Sequence, residues 1–384
     1  MKAETWHEAR QDNILVSIVI PAHNADRFLE RTLRAAVAQT HAALEIIIVD
    51  DGSTDSTREI ALRAAEADAR IKVVSTANGG VARARNTGIE HSSADYVAFL
   101  DADDLWHPTK IALQLAMLEA ADPSWAACYS LFRQIDADDF IIRLGSSRYR
   151  GGYIFSRHLF AKFVGNGSNL LVRKEAALAV GGFDPSYADA GIGGSEDLDF
   201  ELKLAARYHI AAVPQFLVGY RCYPGNMSSN QVRMSRAIVE TVRRCLSANP
   251  GLPETAVRYA WAATHDQAGG LSLWHEGHVG LLLRHKMTAI ANDPVLAVFG
   301  ALGLLRRILR PIKAALVREA PAHTRPYLEI SPLEGLAQRP SRYHELRLRQ
   351  LARIDAEREE AMFHRETPGD GVSEPAKRFL LSEP

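Results

Sequence analysis

Cysteine is scarce. Only Cys128, Cys222 and Cys245 occur in 384 residues, far apart and odd in number, which excludes a disulfide scaffold and a CxxC zinc site and fits a reducing compartment. No run of about 18 apolar residues occurs, so no membrane-spanning helix is expected. Met1 to Asn13 is polar and charged, and the apolar run after it is short and lacks a small-residue cleavage site; no export signal is expected and the chain reads as cytoplasmic. An excess of either charge is missing too: 45 Lys+Arg against 46 Asp+Glu leaves a net charge of −1, no electrostatic footprint for nucleic acid. Neither G-x-x-x-x-G-K-[ST] nor G-x-G-x-x-G is present, so the P-loop and dinucleotide fingerprints are absent. What remains is an ordinary globular composition, 47% hydrophobic and 24% charged.

The first hundred residues alternate between two periods. Leu15 to Ile20, Leu44 to Val49, Ile71 to Val74 and Tyr96 to Leu100 are short apolar runs that predict buried strands. Between them, Ala25–Gln39, Thr54–Ala69 and Gly80–Glu90 have helical spacing, with Ser56 and Glu59 placed as a capping box. Strands alternating with helices of this length predict βαβ units and a largely parallel sheet. After Asp104 the pattern loosens. A helix over His107–Glu119, a strand over Trp125–Phe132, a hairpin turn at Asp136–Asp139 and a return over Ile141–Leu144 are expected. A strand at Ser168–Val172, a short helix ending at Gly181-Gly182, a helix over Glu196–Tyr208 and a last strand at Phe216–Tyr220 follow. Three regions result: an α/β unit over 1–230, a helical extension over 231–318 broken at Pro250, Gly269-Gly270 and Pro294, and a charged tail over 319–384. That tail reads as mostly exposed, with one helical stretch around Tyr343–Met362.

Three acidic clusters carry the chemistry. Asp50-Asp51-Gly-Ser-Thr-Asp55 follows the second strand and Asp101-Ala-Asp-Asp104 the fourth, where open α/β sheets bind ligands. Asp103 and Asp104 suit Mg²⁺ or Mn²⁺, hard ions that take carboxylates together with substrate phosphates; an isolated DxDD is otherwise a solvated turn. Gly79-Gly80 opens a helix that carries Arg83 and Arg85, a pattern that can meet a diphosphate through backbone N–H groups and guanidinium forks. Ser195-Glu-Asp-Leu-Asp199 begins a helix after a Gly-rich stretch, as a cap or as a general base reaching into a cleft.

Taken in order, Pro21-Ala-His-Asn24, Val49 to Asp55, Gly80-Val-Ala-Arg-Ala-Arg-Asn86, Asp101 to Asp104, Gly181-Gly-Phe-Asp184 and Glu196-Asp197 resemble the family-2 inverting glycosyltransferases, from about Leu15 to Ser229. The resemblance implies a GT-A fold: a mostly parallel, mixed sheet flanked by helices, here with a helical C-terminal extension and a charged tail. It implies a nucleotide-diphospho-sugar donor, UDP-linked by default, and a glycan or lipid-linked acceptor in cell-surface polysaccharide synthesis. Pro21, Ala22, His23 and Asn24 would line the donor cleft and Asp51 would bind the base. Gly80, Arg83, Arg85 and Asn86 would lie near base or diphosphate. Asp101 and Asp103 would face the donor, with Asp103 and Asp104 at the metal. Asp197 matches the catalytic base, with Glu196 beside it. Tyr223 stands where the family most often has His. The Gln-x-x-Arg-Trp motif of processive members is missing, so transfer of a single sugar is expected.

Rival readings are a nucleotidyltransferase, which would need a Lys-containing Gly-rich signature where Pro21-Ala-His-Asn24 stands, and a non-catalytic nucleotide-sugar-binding protein, which would have lost one of Asp103, Asp104 or Asp197. His275 and His278 miss the HExxH spacing and read as packing residues, and Cys222 as a structural thiol. Val295 to Arg318 is basic and amphipathic. It fits either peripheral membrane association or packing against the catalytic unit or a second subunit.

Overall fold

The computed structural model describes residues 13–144, 149–276, 279–298, 326–334 and 341–363. Strands β1 (Val16–Ala22), β2 (Leu44–Asp51), β3 (Ile71–Thr76) and β4 (Tyr96–Phe99) pair in parallel. Their connections are the helices α1 (Leu29–Val37), α2 (Thr57–Ala67) and α3 (Val81–His91). Both faces of this half-sheet are covered: Ile18 and Ile20 join a core with Leu29 and Leu33 of α1, whereas Val19 joins Ala82 and Ile89 of α3. Continuous apolar runs, not alternating ones, are what strands covered on both faces require.

Beyond β4 the sheet turns mixed. It also contains β5 (Leu105–Trp106), β6 (Trp125–Ile135), β7 (Ile141–Leu144), β8 (Leu171–Arg173) and β9 (His209–Arg221), in the order β3-β2-β1-β4-β8-β6-β9-β5 with β7 beside β6. β8 is antiparallel to β4 and β6, β5 to β9 and β7 to β6, while β6 and β9 run parallel. The direction of strand order reverses at β1, so the ends of β1 and β4 splay around a crevice, the place where open α/β sheets hold ligands. Helices α4 (Lys110–Glu119), α5 (Phe155–Ala161), α6 (Lys174–Ala179), α7 (Ser186–Asp189) and α8 (Glu196–Ala205) complete this unit, followed by α9 (Gln231–Ala248), α10 (Glu254–Glu276), α11 (Val279–Asn292) and α12 (Arg342–Phe363).

Three sequence expectations need correcting. Ser56 makes no side-chain cap; the Thr57 N–H donates to Asp55 Oδ1 at 2.9 Å instead. Gly269-Gly270 does not break a helix, because α10 runs through it. A Cβ on Gly269 would stand 3.2 Å from the His285 Cβ, so that glycine lets α11 approach closely. The tail is not mostly exposed where it is described. Residues 326–334 strap the sheet, with the Tyr327 hydroxyl donating to the Phe216 carbonyl and Phe216 N–H to Pro332. In α12, Tyr343, Leu348, Leu351 and Asp355 are buried. Asp355 accepts the Ser156 N–H at 2.7 Å and the Arg157 Nε at 2.8 Å, capping α5. The side chains of His275 and His278 lie outside the described residues, as does Val295–Arg318 beyond 298. No described helix is long and apolar enough to cross a membrane.

Candidate functional site

A cleft of about 890 Å³ opens at the switch point and continues under α9 and α10. Its first half is built from strand ends. Pro21 and Ala22 end β1, and His23 and Asn24 turn the chain, Asn24 at φ 49°. Asn24 Oδ1 accepts the Thr54 N–H at 2.9 Å and its own N–H donates to Ser53 Oγ, tying this turn to the end of β2. Asp51 accepts the Gly79 and Gly80 N–H groups at 2.8 Å each, one per oxygen, and so pulls the β3–α3 loop over the cleft. A carboxylate offers about four acceptor sites, which leaves Asp51 able to receive a further donor.

The acidic turn after β4 divides its residues by direction. Asp101 and Asp103 line the cleft. The Tyr223 hydroxyl donates to Asp103 Oδ2 at 3.1 Å, and the Tyr223 ring packs 4.8 Å from Phe28. Burial, with the Asp101 charge, pushes the Asp103 carboxyl up to about 6. Asp104 points the other way. It is fully buried, accepts Ser168 Oγ at 2.6 Å and the Arg221 N–H at 2.8 Å, and is absent from the lining. The expectation that Asp104 faces a metal is therefore corrected: it locks the turn that presents Asp103.

Helix α8 supplies the second half. Glu196 is held by the Gly194 N–H at 2.7 Å and lies 3.6 Å from Arg85 Nη1. Asp197 accepts the Leu198 N–H through Oδ1 and lines the cleft. Burial first, then the charges of Glu201 and Glu196, hold the Asp197 carboxyl well above the ordinary carboxylate range. Glu201 stands one turn along α8 and also lines the cleft. His158 of α5 reaches it, Nε2 to Oε2 at 3.0 Å. Because His158 Nδ1 accepts the Phe163 N–H at 3.1 Å, Nε2 must carry the imidazole proton and donate to Glu201.

Arg85 joins the two halves. It is 3% exposed, with Nη2 2.6 Å from Asp101 and Nη1 facing Glu196. Its guanidinium lies over Phe183, 5.1 Å from the ring centre. Gly167 packs beneath it, where a Cβ would stand 2.1 Å from Nη2.

Of the residues singled out by sequence, Pro21, Ala22, His23, Asn24, Asp51, Gly80, Arg85, Asp101, Asp103, Glu196 and Asp197 meet in this one cleft. Arg83 does not: it leaves the cleft to pair with Asp189 at 3.0 Å. Asn86 is also removed, since its amide brackets the Phe183 backbone, donating to the carbonyl at 2.8 Å and accepting the N–H at 2.9 Å. Residues that sequence reasoning missed include His158, Lys162 and Glu201. A second acid four positions after Asp197 was the available signal for Glu201, because positions i and i+4 share a helix face. The Cys222 thiol, pushed up to about 11 by burial and the nearby Asp104 and Asp103, is not a reactive thiolate.

The mixed α/β sheet thus has a deep cleft at its switch point, edged by carboxylates and flanked by a glycine-opened helix, where sheets of this class hold ligands. Residues 17–178, a little under half of the chain, match glycosyl transferase family 2. An uncharacterized glycosyltransferase of Nostoc sp. is 40% identical over 108 residues, 28% of this chain and 34% of that protein. A UDP-Glc:alpha-D-GlcNAc-diphosphoundecaprenol beta-1,3-glucosyltransferase of Escherichia coli is 37% identical over 108 residues, 28% of this chain and 42% of that one. The matched segment thus spans less than half of these relatives' own length. A mannosyltransferase of Pyrobaculum calidifontis, in complex with GDP-Man and Mn²⁺, aligns over 91% of this chain and 88% of that chain at 18% identity with a TM-score of 0.49; at that distance it bears on neither donor nor metal.

Proposed function

We infer that the protein transfers a single sugar, with inversion, from a nucleotide-diphospho-sugar to a hydroxyl of a glycan or lipid-linked acceptor in cell-surface polysaccharide synthesis, at the cytoplasmic face of the membrane. UDP is the expected nucleotide. The observation that carries the reading is that Asp103 and Asp197, 94 positions apart along the chain, line a single cleft large enough for donor and acceptor together.

Asp197 acts as general base. An acceptor hydroxyl is a poor nucleophile until a carboxylate takes its proton during attack, and an Asp197 carboxyl held above its ordinary range is a stronger base than a solvated one. Leu198 N–H fixes one of its oxygens and leaves the other for the hydroxyl. The acceptor oxygen bonds to the anomeric carbon as the bond to the diphosphate oxygen breaks, and the proton passes to Asp197. Holding both reactants in one cleft removes much of the entropic barrier. Glu196, tied to the Gly194 N–H and to Arg85, positions Asp197 beside it.

A divalent ion fits Asp103. That carboxylate faces the cleft beside Asp101, forms no salt bridge among the described residues, and is raised in its protonation range by burial first and then by the Asp101 charge. Among the described residues no three His, Cys, Asp or Glu groups could hold a metal ion by themselves, so donor phosphates would have to complete the shell, as Mg²⁺ commonly requires. When bound, Mg²⁺ or Mn²⁺ would stabilise the charge on the departing diphosphate. Asp103→Asn should weaken ion-dependent UDP binding by about tenfold or more, a loss of roughly 1.4 kcal/mol, while binding without the ion changes little. Titration calorimetry with and without Mg²⁺ checks this, and unchanged ion dependence would remove Asp103 from the role.

A further inference from the structure

The cleft lining includes two donors that find no partner among the described residues. Lys162 follows α5 in the left-handed region at φ 48°, its N–H closing the helix on the His158 carbonyl at 2.8 Å. Its side chain lines the cleft and makes no ion pair or hydrogen bond among the described residues. A non-glycine residue in that conformation is strained and persists where the surroundings require it. Asn166, four positions on, is 3% exposed and also lines the cleft. Its Oδ1 accepts the Ser168 N–H at 3.1 Å, which fixes the amide orientation and leaves Nδ2 buried with no partner among the described residues. A buried donor left unmade is costly, and an ammonium drawn out of water more so.

The lining also has an apolar strip. Phe160, Phe163, Ile238 and Leu296 supply it, with Tyr343 and His344 packed against Phe160 as its polar edge, and the exposed Val295 and Val298 flank Leu296. Burial lowers the Lys162 ammonium to about 8, so it is still largely charged at neutral pH and more so beside an anion. Along the wall, Asp197 and Glu201 are one helical turn apart, His158 contacts Glu201, and Lys162 lies one turn beyond His158. That sequence runs from the base into the acceptor half.

We propose that Lys162 and Asn166 form an anion subsite for the acceptor, and that the acceptor carries a phosphate group between its sugar and an apolar chain. The proposal rests on the glycosyltransferase reading and adds to it which residues read the acceptor. Both donors would bind phosphate oxygens, Lys162 with charge assistance, while the chain runs along Phe160, Phe163 and Leu296.

The test keeps the donor half filled with UDP and Mg²⁺ and measures binding of decyl phosphate, decyl glucoside and inorganic phosphate by calorimetry. Decyl phosphate should bind wild type about tenfold or more tighter than either of the others. Lys162→Met should erase the advantage over decyl glucoside while retaining wild-type UDP binding and melting temperature, and Asn166→Asp, which keeps an oxygen for the Ser168 N–H but replaces the free donor with an acceptor, should reduce it several-fold while retaining UDP binding. Equal binding of decyl phosphate and decyl glucoside by wild type, or an advantage that survives Lys162→Met, overturns the subsite. Inorganic phosphate binding as well as decyl phosphate overturns the apolar chain and points to a soluble acidic acceptor. UDP binding is read separately: its absence in wild type would defeat the glycosyltransferase reading, whereas UDP binding without decyl phosphate binding defeats only this inference.

Discussion

Asp197→Asn should lower the transfer rate by about 10²- to 10⁴-fold, the usual contribution of a positioned base, while UDP affinity stays close to wild type. The split follows from the proposed roles, in which Asp197 meets the acceptor and Asp51, Asp101 and Asp103 meet the donor along the one cleft they all line, so the substitution removes proton transfer without touching the nucleotide. Asparagine keeps the size of the side chain and can still accept the Leu198 N–H. Transfer measured under saturating donor, beside calorimetric UDP binding, separates the two effects, and a variant with full transfer activity would reject Asp197 as the base. The pH profile adds a second readout. Asp197 must be ionised to accept a proton, and burial with the charges of Glu201 and Glu196 raises its carboxyl. Activity should therefore fall as pH drops through that raised value. Glu201→Gln removes the Glu201 charge yet still accepts the His158 proton, so the acidic limb should move to lower pH; a limb that stays in place would uncouple the two carboxyls.

The first half of the sheet was legible because a strand covered on both faces must be apolar throughout, and Ile46 to Val49 are. The acid clusters were legible for the same reason: they interrupt those runs at the strand ends where ligands bind. Which member of a cluster faces the cleft was not legible. Arg83 and Arg85 lie about 200° apart around α3 at 3.6 residues per turn, so only one can look inward. Asp103 and Asp104 are adjacent in a turn, and the choice is made by Ser168 and Arg221 from distant parts of the chain. Distance also hid the tail. Residues 341–363 carry so many charges that they read as solvated, yet Arg347 pairs with Asp293 at 2.6 Å and Asp355 caps α5. Those charges are buried because their partners are supplied elsewhere. In β9, Pro214 breaks the apparent strand pattern, but the sheet accommodates it with shifts of register against β6, so the strand runs from His209 and not from Phe216.

Arg85→Met should destabilise the fold by about 3–5 kcal/mol, the cost of stripping one partner from a buried charge cluster, a large part of a typical 5–15 kcal/mol. Arg85 is the cation between Asp101 at the end of β4 and Glu196 at the start of α8, with the charge of Asp197 also bearing on it. Methionine fills the space over Phe183 but leaves three carboxylates facing one another with nothing between them. Arg85→Lys should recover only part of the loss, because a single ammonium cannot reach two carboxylates as a planar fork does. The sign of the pH effect follows from that repulsion. Without Arg85, protonating the acids relieves the strain, so the deficit relative to wild type should shrink as pH falls and grow as it rises. Urea denaturation at several pH values measures it. A variant as stable as wild type at neutral pH would mean that water, not Arg85, neutralises these acids, and the two halves of the cleft would then lack the strut that holds base and donor in register.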